Sequence, residues 1–278
     1  MRRILVTSAS GANGDGYGRL LCFAAEGELQ GSFSDDPRIR DPRGLSLSPA
    51  GDLVYVTSGD DRVLALDKNG QVTLDSGRSE DLDAGGGTFA PDGRYCVTLR
   101  RRGTILALPP RLDTKGDTLL PDGAVPFPRG FGFGADGQLY LASGIGPSGA
   151  GDNTIALFDG DGQLRNPRLV SDPELSPLDL AIAPGGNIVV SSEWPFGSPG
   201  ARATIREYEP SSGQLVRVLA PDPAVRFSRP RGLRFGPGDQ LYCVGHDHVV
   251  AFDFPTGRFV GVTAELRQLN GQAILLLE

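Results

Sequence analysis

The sequence is poor in several residue types, and each shortage excludes something. Of its 27 basic residues only Lys68 and Lys115 are lysines, and the net charge is −7. A nucleic-acid partner is not expected, because phosphate binding needs a basic surface. No apolar run approaches the ~18 residues of a membrane helix, so no membrane partner is expected either. The first residues, MRRILVTS, hold an apolar stretch too short for a secretory leader core. A cytoplasmic location is the expectation. The three cysteines, Cys22, Cys96 and Cys243, are odd in number and lie in strand-like runs (LLCFA, RYCVT, LYCVG). Buried free thiols are expected in preference to disulfides. No G-x-S-x-G, C-x-x-C, H-E-x-x-H or calcium-loop pattern occurs, so no motif names a reaction. Amphipathic-helix patterns are absent apart from one candidate turn near Ala264–Leu269.

Glycine is plentiful, at 40 of 278 residues, and it recurs at regular places. Five segments share one pattern of alternating strand, Gly/Asp turn and second strand. They are PRGLSLSPAGDLVYVTS from Pro42, GGGTFAPDGRYCVTL from Gly85, PRGFGFGADGQLYLAS from Pro128, PLDLAIAPGGNIVVSS from Pro177 and PRGLRFGPGDQLYCVG from Pro230. A second hairpin follows each, as in RVLALDKNGQVTL and TIALFDGDGQLRN. Four strands per unit, labelled A to D from the first to the last, recurring every ~40–50 residues, indicate propeller blades.

The ends settle the count. The strand RILVTS from Arg3 and the hairpin from Gly18 lack an A strand, and GQAILLLE from Gly271 is a strand without a blade. Joined, they make a sixth blade and leave no open edge in the ring. The expected fold is an all-β, six-bladed β-propeller in a single domain over 1–278, closed by the C-terminal strand completing the N-terminal blade. Blade 1 comprises 271–278 plus 1–33, blade 2 42–76, blade 3 84–120, blade 4 127–170, blade 5 176–219 and blade 6 229–263.

The blade pattern P-x-G-apolar-x-apolar-x-P-x-G-x-apolar-Y-V followed by G-D-D-R-V, nearly complete from Pro42 to Val63, resembles NHL repeats. The resemblance spans almost the whole chain and implies fold more than activity. The wider superfamily includes gluconolactonase-like and senescence-marker-protein-like hydrolases, which hold a metal in the central channel with Glu, Asn and Asp. This chain departs from that ligand set. Its A-strand entrances carry Arg43, Gly85, Arg129, Leu178 and Arg231, and Asp179 is the one acid near such a position. The cofactor is therefore undetermined, a divalent metal being one alternative.

The D–A connections and B–C loops of a propeller open on one face, where loops on a rigid scaffold concentrate function. Arg43, Arg129 and Arg231 occupy one repeat position in blades 2, 4 and 6. Two readings fit them: a cationic mouth for a carboxylate or phosphate, or staples to the carbonyls of neighbouring blades. Long B–C loops are expected over Ala9–Tyr17, Gly144–Asn153 and Glu193–Ala203, the last carrying Trp194 and Phe196. These aromatics would pack a ligand or cover the core. The Gly-rich loops lack the Lys and following helix of a phosphate loop. The only histidines, His246 and His248, fall in the B–C loop of blade 6, and Glu193 lies in the equivalent loop of blade 5. They would hold a metal, transfer protons or serve structure, since GHDHVV stands where blade 2 has GDDRVL. Arg100–Arg102 is expected on the same rim, facing solvent.

The sequence thus supports small-molecule binding at the top mouth, with hydrolase or lyase chemistry on a small polar or anionic substrate. His246, His248 and Glu193 would be catalytic, and Arg43, Arg129, Arg231, Asp179 and Trp194 would bind substrate. The alternative is a non-enzymatic NHL-type scaffold with a protein partner.

Overall fold

The computed structural model describes residues 3–9, 18–146, 149 and 151–278. They form six antiparallel sheets of four strands each. The six innermost strands are Gly271–Leu277, Leu45–Leu47, Ala84–Phe89, Pro128–Phe133, Pro177–Ile182 and Leu233–Phe235, the A strands of blades 1 to 6. Each packs on the A strands of both neighbouring blades, and the sequence of contacts returns to its start. The ring is closed, as the sequence predicts. Gly271–Leu277 pairs antiparallel with Arg3–Ser8, from Arg3 opposite Leu277 to Ser8 opposite Gly271.

The period of two along each strand explains how the ring holds together. Successive side chains point to opposite sheet faces, and both faces of a blade are covered by its neighbours. In Arg3–Ser8, Leu5 packs toward blade 2, while Ile4 and Val6 pack toward blade 6. In Val54–Ser58, Val54 and Val56 face blade 1 and Tyr55 faces blade 3. The outcome is six apolar clusters, one in each gap between blades. All three cysteines sit in these gaps as buried free thiols.

The hairpin turns need glycine where the backbone turns left-handed. Gly70 has φ +82, and its N–H closes the turn onto the carbonyl of Asp67. A Cβ there would stand 1.9 Å from the carbonyl oxygen of Phe33 in blade 1.

Two expectations are corrected. No helical turn forms at Ala264–Leu269: the D strand of blade 6 runs over Arg258–Glu265 and ends in a tight turn closed by Leu269 N–H on the Leu266 carbonyl. The only helical segment among the described residues is the 3-10 turn Pro237–Asp239. The B–C loop of blade 5 is also shorter than its Gly/Pro-rich sequence suggests. Strand pairing continues through Glu193 opposite Ala203 and Trp194 opposite Arg202, which leaves 195–201 as the loop. Of the expected loop Ala9–Tyr17, all but Ala9 lies outside the described residues.

Candidate functional site

The A strands descend side by side along the axis, so equivalent repeat positions form rings around it. The uppermost ring is Arg43, Gly85, Arg129, Leu178, Arg231 and Gln272. The next is Gly44, Gly86, Gly130, Asp179, Gly232 and Ala273. Small residues in the second ring let the strands approach. A Cβ on Gly130 would stand 2.4 Å from both Asp179 Oδ1 and the Leu180 nitrogen, and one on Gly232 would meet Ala273 Cα at 2.6 Å. Most of these residues line a cavity of about 80 Å³ at the neck of the channel. At ~10–15 Å³ per water-sized probe, it has room for a group of a few heavy atoms.

The cavity's charged walls are Arg43, Arg100, Arg129, Arg231, Arg234 and one carboxylate, Asp179. Arg43, Arg129 and Arg231 are thus gathered as the repeat position implies. The structure gives each a different partnership. Arg43 donates to the Ala84 carbonyl of blade 3 at 3.3 Å and pairs with Asp41 at 3.2 Å and Asp83 at 3.4 Å. That is the staple geometry. Arg129 donates one bond, to the Ile145 carbonyl of its own blade at 2.7 Å. The Arg231 backbone is bonded, its N–H to the Val244 carbonyl at 2.7 Å, but its side chain makes no hydrogen bond among the described residues, and Nη1 is buried without a partner.

Two cations of the cavity were not expected from the sequence. Arg100 does not face solvent but lines the neck, held by Asp83 at 2.7 Å. It lies over Gly85, whose absent Cβ would come within 3.4 Å of the Arg100 Cγ and Cδ. Blade 3 lacks the entrance arginine of blades 2, 4 and 6, and the glycine there makes room for an arginine delivered from the B–C loop. Arg234 crosses beneath. Its Nη2 donates to the Leu45 carbonyl and to Ser46 Oγ at 3.3 Å, tying blade 6 to blade 2 across the axis and flooring the cavity.

Aromatic rings interleave with the upper cations. Phe127 lies 5.8 Å from the guanidinium of Arg100 and 4.7 Å from that of Arg129, and Phe196 lies 5.4 Å from Arg129 and 5.7 Å from Arg231. Such contacts hold like charges close at ~0.5–2 kcal/mol each and cover guanidinium faces. Phe196, not Trp194, is the aromatic of the blade 5 loop that meets the arginines; Trp194 is half-buried at the strand end.

Burial has electrostatic consequences. Burial first, then Arg231 and Arg43, lowers the pKa of Arg129 to about 10, so it stays charged at neutral pH. Arg231 is also lowered, by burial above all, with Glu193 opposing and Arg229 adding to the shift. Burial pushes the Asp179 carboxyl up, against the pull of Arg234 and of the Leu233 N–H, which donates to Oδ2 at 2.9 Å.

The two histidines separate. His246 lies in a bend, where the alternation of an extended strand does not apply, and lines a depression beside Arg231. His248 begins the C strand of blade 6 and places Nε2 3.7 Å from Glu265 on the outer strand. Glu193 is buried and close enough to favour the charge of Arg231. No three His, Cys, Asp or Glu groups among the described residues converge as metal ligands.

No protein-family model matches the chain, and no curated protein matches it. Solved structures do. The chain is similar to one from a nidogen/laminin complex, with 16% identity over 100% of this chain and 99% of that chain at a TM-score of 0.76. It is similar to a putative gluconolactonase, with 17% identity over 95% and 88% at 0.68. Virginiamycin B lyase from Staphylococcus aureus is similar at 16% identity over 88% and 80%, TM-score 0.58. At these identities the likeness is one of fold: the chain is a six-bladed β-propeller.

Proposed function

We propose that the mouth of the ring binds a small anionic molecule through a carboxylate or phosphate group. One observation carries the proposal. Arg231 is half-buried beside Arg129, its Nη1 fully buried and unpartnered, in a cavity whose lining among the described residues holds five arginines and a single carboxylate. A buried charged donor without a partner is costly; an anion in the neck would supply the partner and offset the repulsion.

We assign the ring, on its repeats, to the NHL-type propellers of the gluconolactonase-like superfamily. Hydrolase or lyase chemistry on the bound anion would use His246 as the proton acceptor next to Arg231, whose charge Glu193 favours. Structures of a putative gluconolactonase and of a lyase share the fold. Metal chemistry of the superfamily's type would need ligands other than a clustered His/Asp/Glu set among the described residues.

The test is a thermal-shift series with acetate, phosphate and chloride at constant ionic strength. A ligand that binds only the folded state raises its stability as RT ln(1 + [L]/Kd). Acetate or phosphate should raise the melting temperature above the chloride control, and Arg231→Gln should abolish the rise. Equal shifts with all three salts would refute the proposal.

A second reading, a protein-interaction scaffold, is favoured by exposed aliphatic side chains on the outer strands of blades 5 and 6: Leu215, Val216, Val218, Val260 and Val262. It gains if the anion series shows no specific shift.

A further inference from the structure

Arg231 is a wall of more than the neck. That side chain and Gln272 also wall a second depression, of about 250 Å³, between blades 6 and 1. Its remaining walls are Ala9, Arg229, His246, Asn270 and Gly271. Among the described residues the lining thus offers two guanidinium groups, an imidazole and two carboxamides, and no carboxylate.

This pocket is rigid on its His246 side. The His246 N–H donates to the Ser228 carbonyl at 2.9 Å, and its carbonyl accepts from Asn270 N–H at 2.8 Å. The His246 main chain is therefore fixed between the D–A connection and the segment leading into the closing strand. The imidazole Nδ1 is buried with no partner. Arg229 makes no hydrogen bond or ion pair among the described residues. The Gln272 amide is held by the Asn270 carbonyl at 3.0 Å. Two unpartnered buried nitrogens, Arg231 Nη1 and His246 Nδ1, thus belong to residues that wall this depression, and Arg231 also walls the neck.

We propose that the ligand of the mouth carries two acidic groups, one seated in the neck and one in this side pocket. The inference rests on the anion-binding reading above and deepens it. The neck group would be held by Arg129 and Arg231. The second would lie against Arg229, His246 and the two carboxamides, with Arg231 between the two anions. Small dicarboxylates, or acids carrying a phosphate, have this chemistry. A monoanion satisfies only half of the site and leaves His246 Nδ1 unpartnered.

Calorimetric titration of the full chain with succinate and with butyrate, acids of equal chain length, tests the inference. A second charge-assisted hydrogen-bonded group is worth roughly tenfold or more in Kd. Succinate is expected to bind at least about tenfold more tightly than butyrate. The ratio should fall to within about threefold in His246→Ala combined with Arg229→Asn. Asn is chosen because Arg229 has φ +50, which Asn tolerates. Melting curves of the variant in the absence of ligand check its folding, and Arg229→Lys serves as a milder second variant that should keep part of the preference. Equal affinity for the two acids in the wild type overturns the two-group inference while leaving the anion site intact. Failure of both acids to bind at millimolar concentration overturns the anion site as well.

Discussion

Removing the closing strand, residues 271–278, should unfold the ring rather than fray one end. The strand buries Ile274, Leu275 and Leu277 almost completely. Each such side chain contributes about 1.5–3 kcal/mol, so the three together contribute roughly 5–9 kcal/mol. The deletion also uncovers Leu5 and Ile274's neighbours Ile4 and Val6. It removes the bond from Ala273 N–H to Thr7 Oγ1 as well. Domains of this kind hold only ~5–15 kcal/mol in total, so most of the stability is at stake. A graded form of the experiment is Leu275→Ala, which should cost about 2–5 kcal/mol. With an unfolding entropy near 2.1 cal/mol/K per residue, that cost lowers the melting temperature of this chain by roughly 3–9 °C. Leu215→Ala, on the exposed outer strand of blade 5, should change it by about 1 °C or less. Differential scanning calorimetry reads all three variants. A truncated chain that melts cooperatively at the wild-type temperature would refute the closure argument.

Three further outcomes are expected. Gly130→Ala should destabilise by about 1–3 kcal/mol or more in a denaturant titration, because its Cβ meets backbone of blade 5 at 2.4 Å; a neutral result would show that the blades do not approach at the second ring. Asp179→Asn should become increasingly stable relative to wild type as pH rises. The folded carboxyl is raised by burial, so its favourable contribution is complete below the ordinary carboxylate range near ~3.9 and is lost as pH climbs through the raised value; melting curves at several pH values would show the wrong sign if Arg234 fully neutralised the charge. Cys22, Cys96 and Cys243 are buried and their thiols are pushed up by burial, so a thiol reagent should titrate them only on unfolding, and fast labelling of the native protein would contradict that burial.

The fold was legible in the sequence because blades repeat. One alternating hairpin pattern, met five times, left two orphan ends that completed each other. The three entrance arginines were legible for the same reason, since a repeat position becomes a ring position. Arg100 was not, because it comes from a B–C loop inside a run of three arginines that reads as a solvated rim. The signal that pointed to it was Gly85, the glycine standing where three other blades have arginine. Arg234 was hidden in an A strand whose alternation says only that it faces away from Leu233, not that it reaches across the axis to blade 2. The blade 5 loop misled because Pro195, Gly197, Pro199 and Gly200 mark a turn without telling how far the flanking strands pair. The histidine spacing was read on an extended strand, whereas His246 sits in a bend, and so one imidazole joins the mouth while the other turns to the outer strand.

The central claim is an oxyanion seat in the neck of the ring, and a crystal structure grown with bromoacetate addresses it most directly. Anomalous scattering from bromine locates the molecule without relying on the shape of the density. The account predicts the carboxylate in the neck, within hydrogen-bond reach of Arg231 Nη1, with Arg129 alongside and Phe196 covering both. An empty neck, with Arg231 Nη1 bonded to the protein's own carbonyls and the bromine elsewhere, would contradict it.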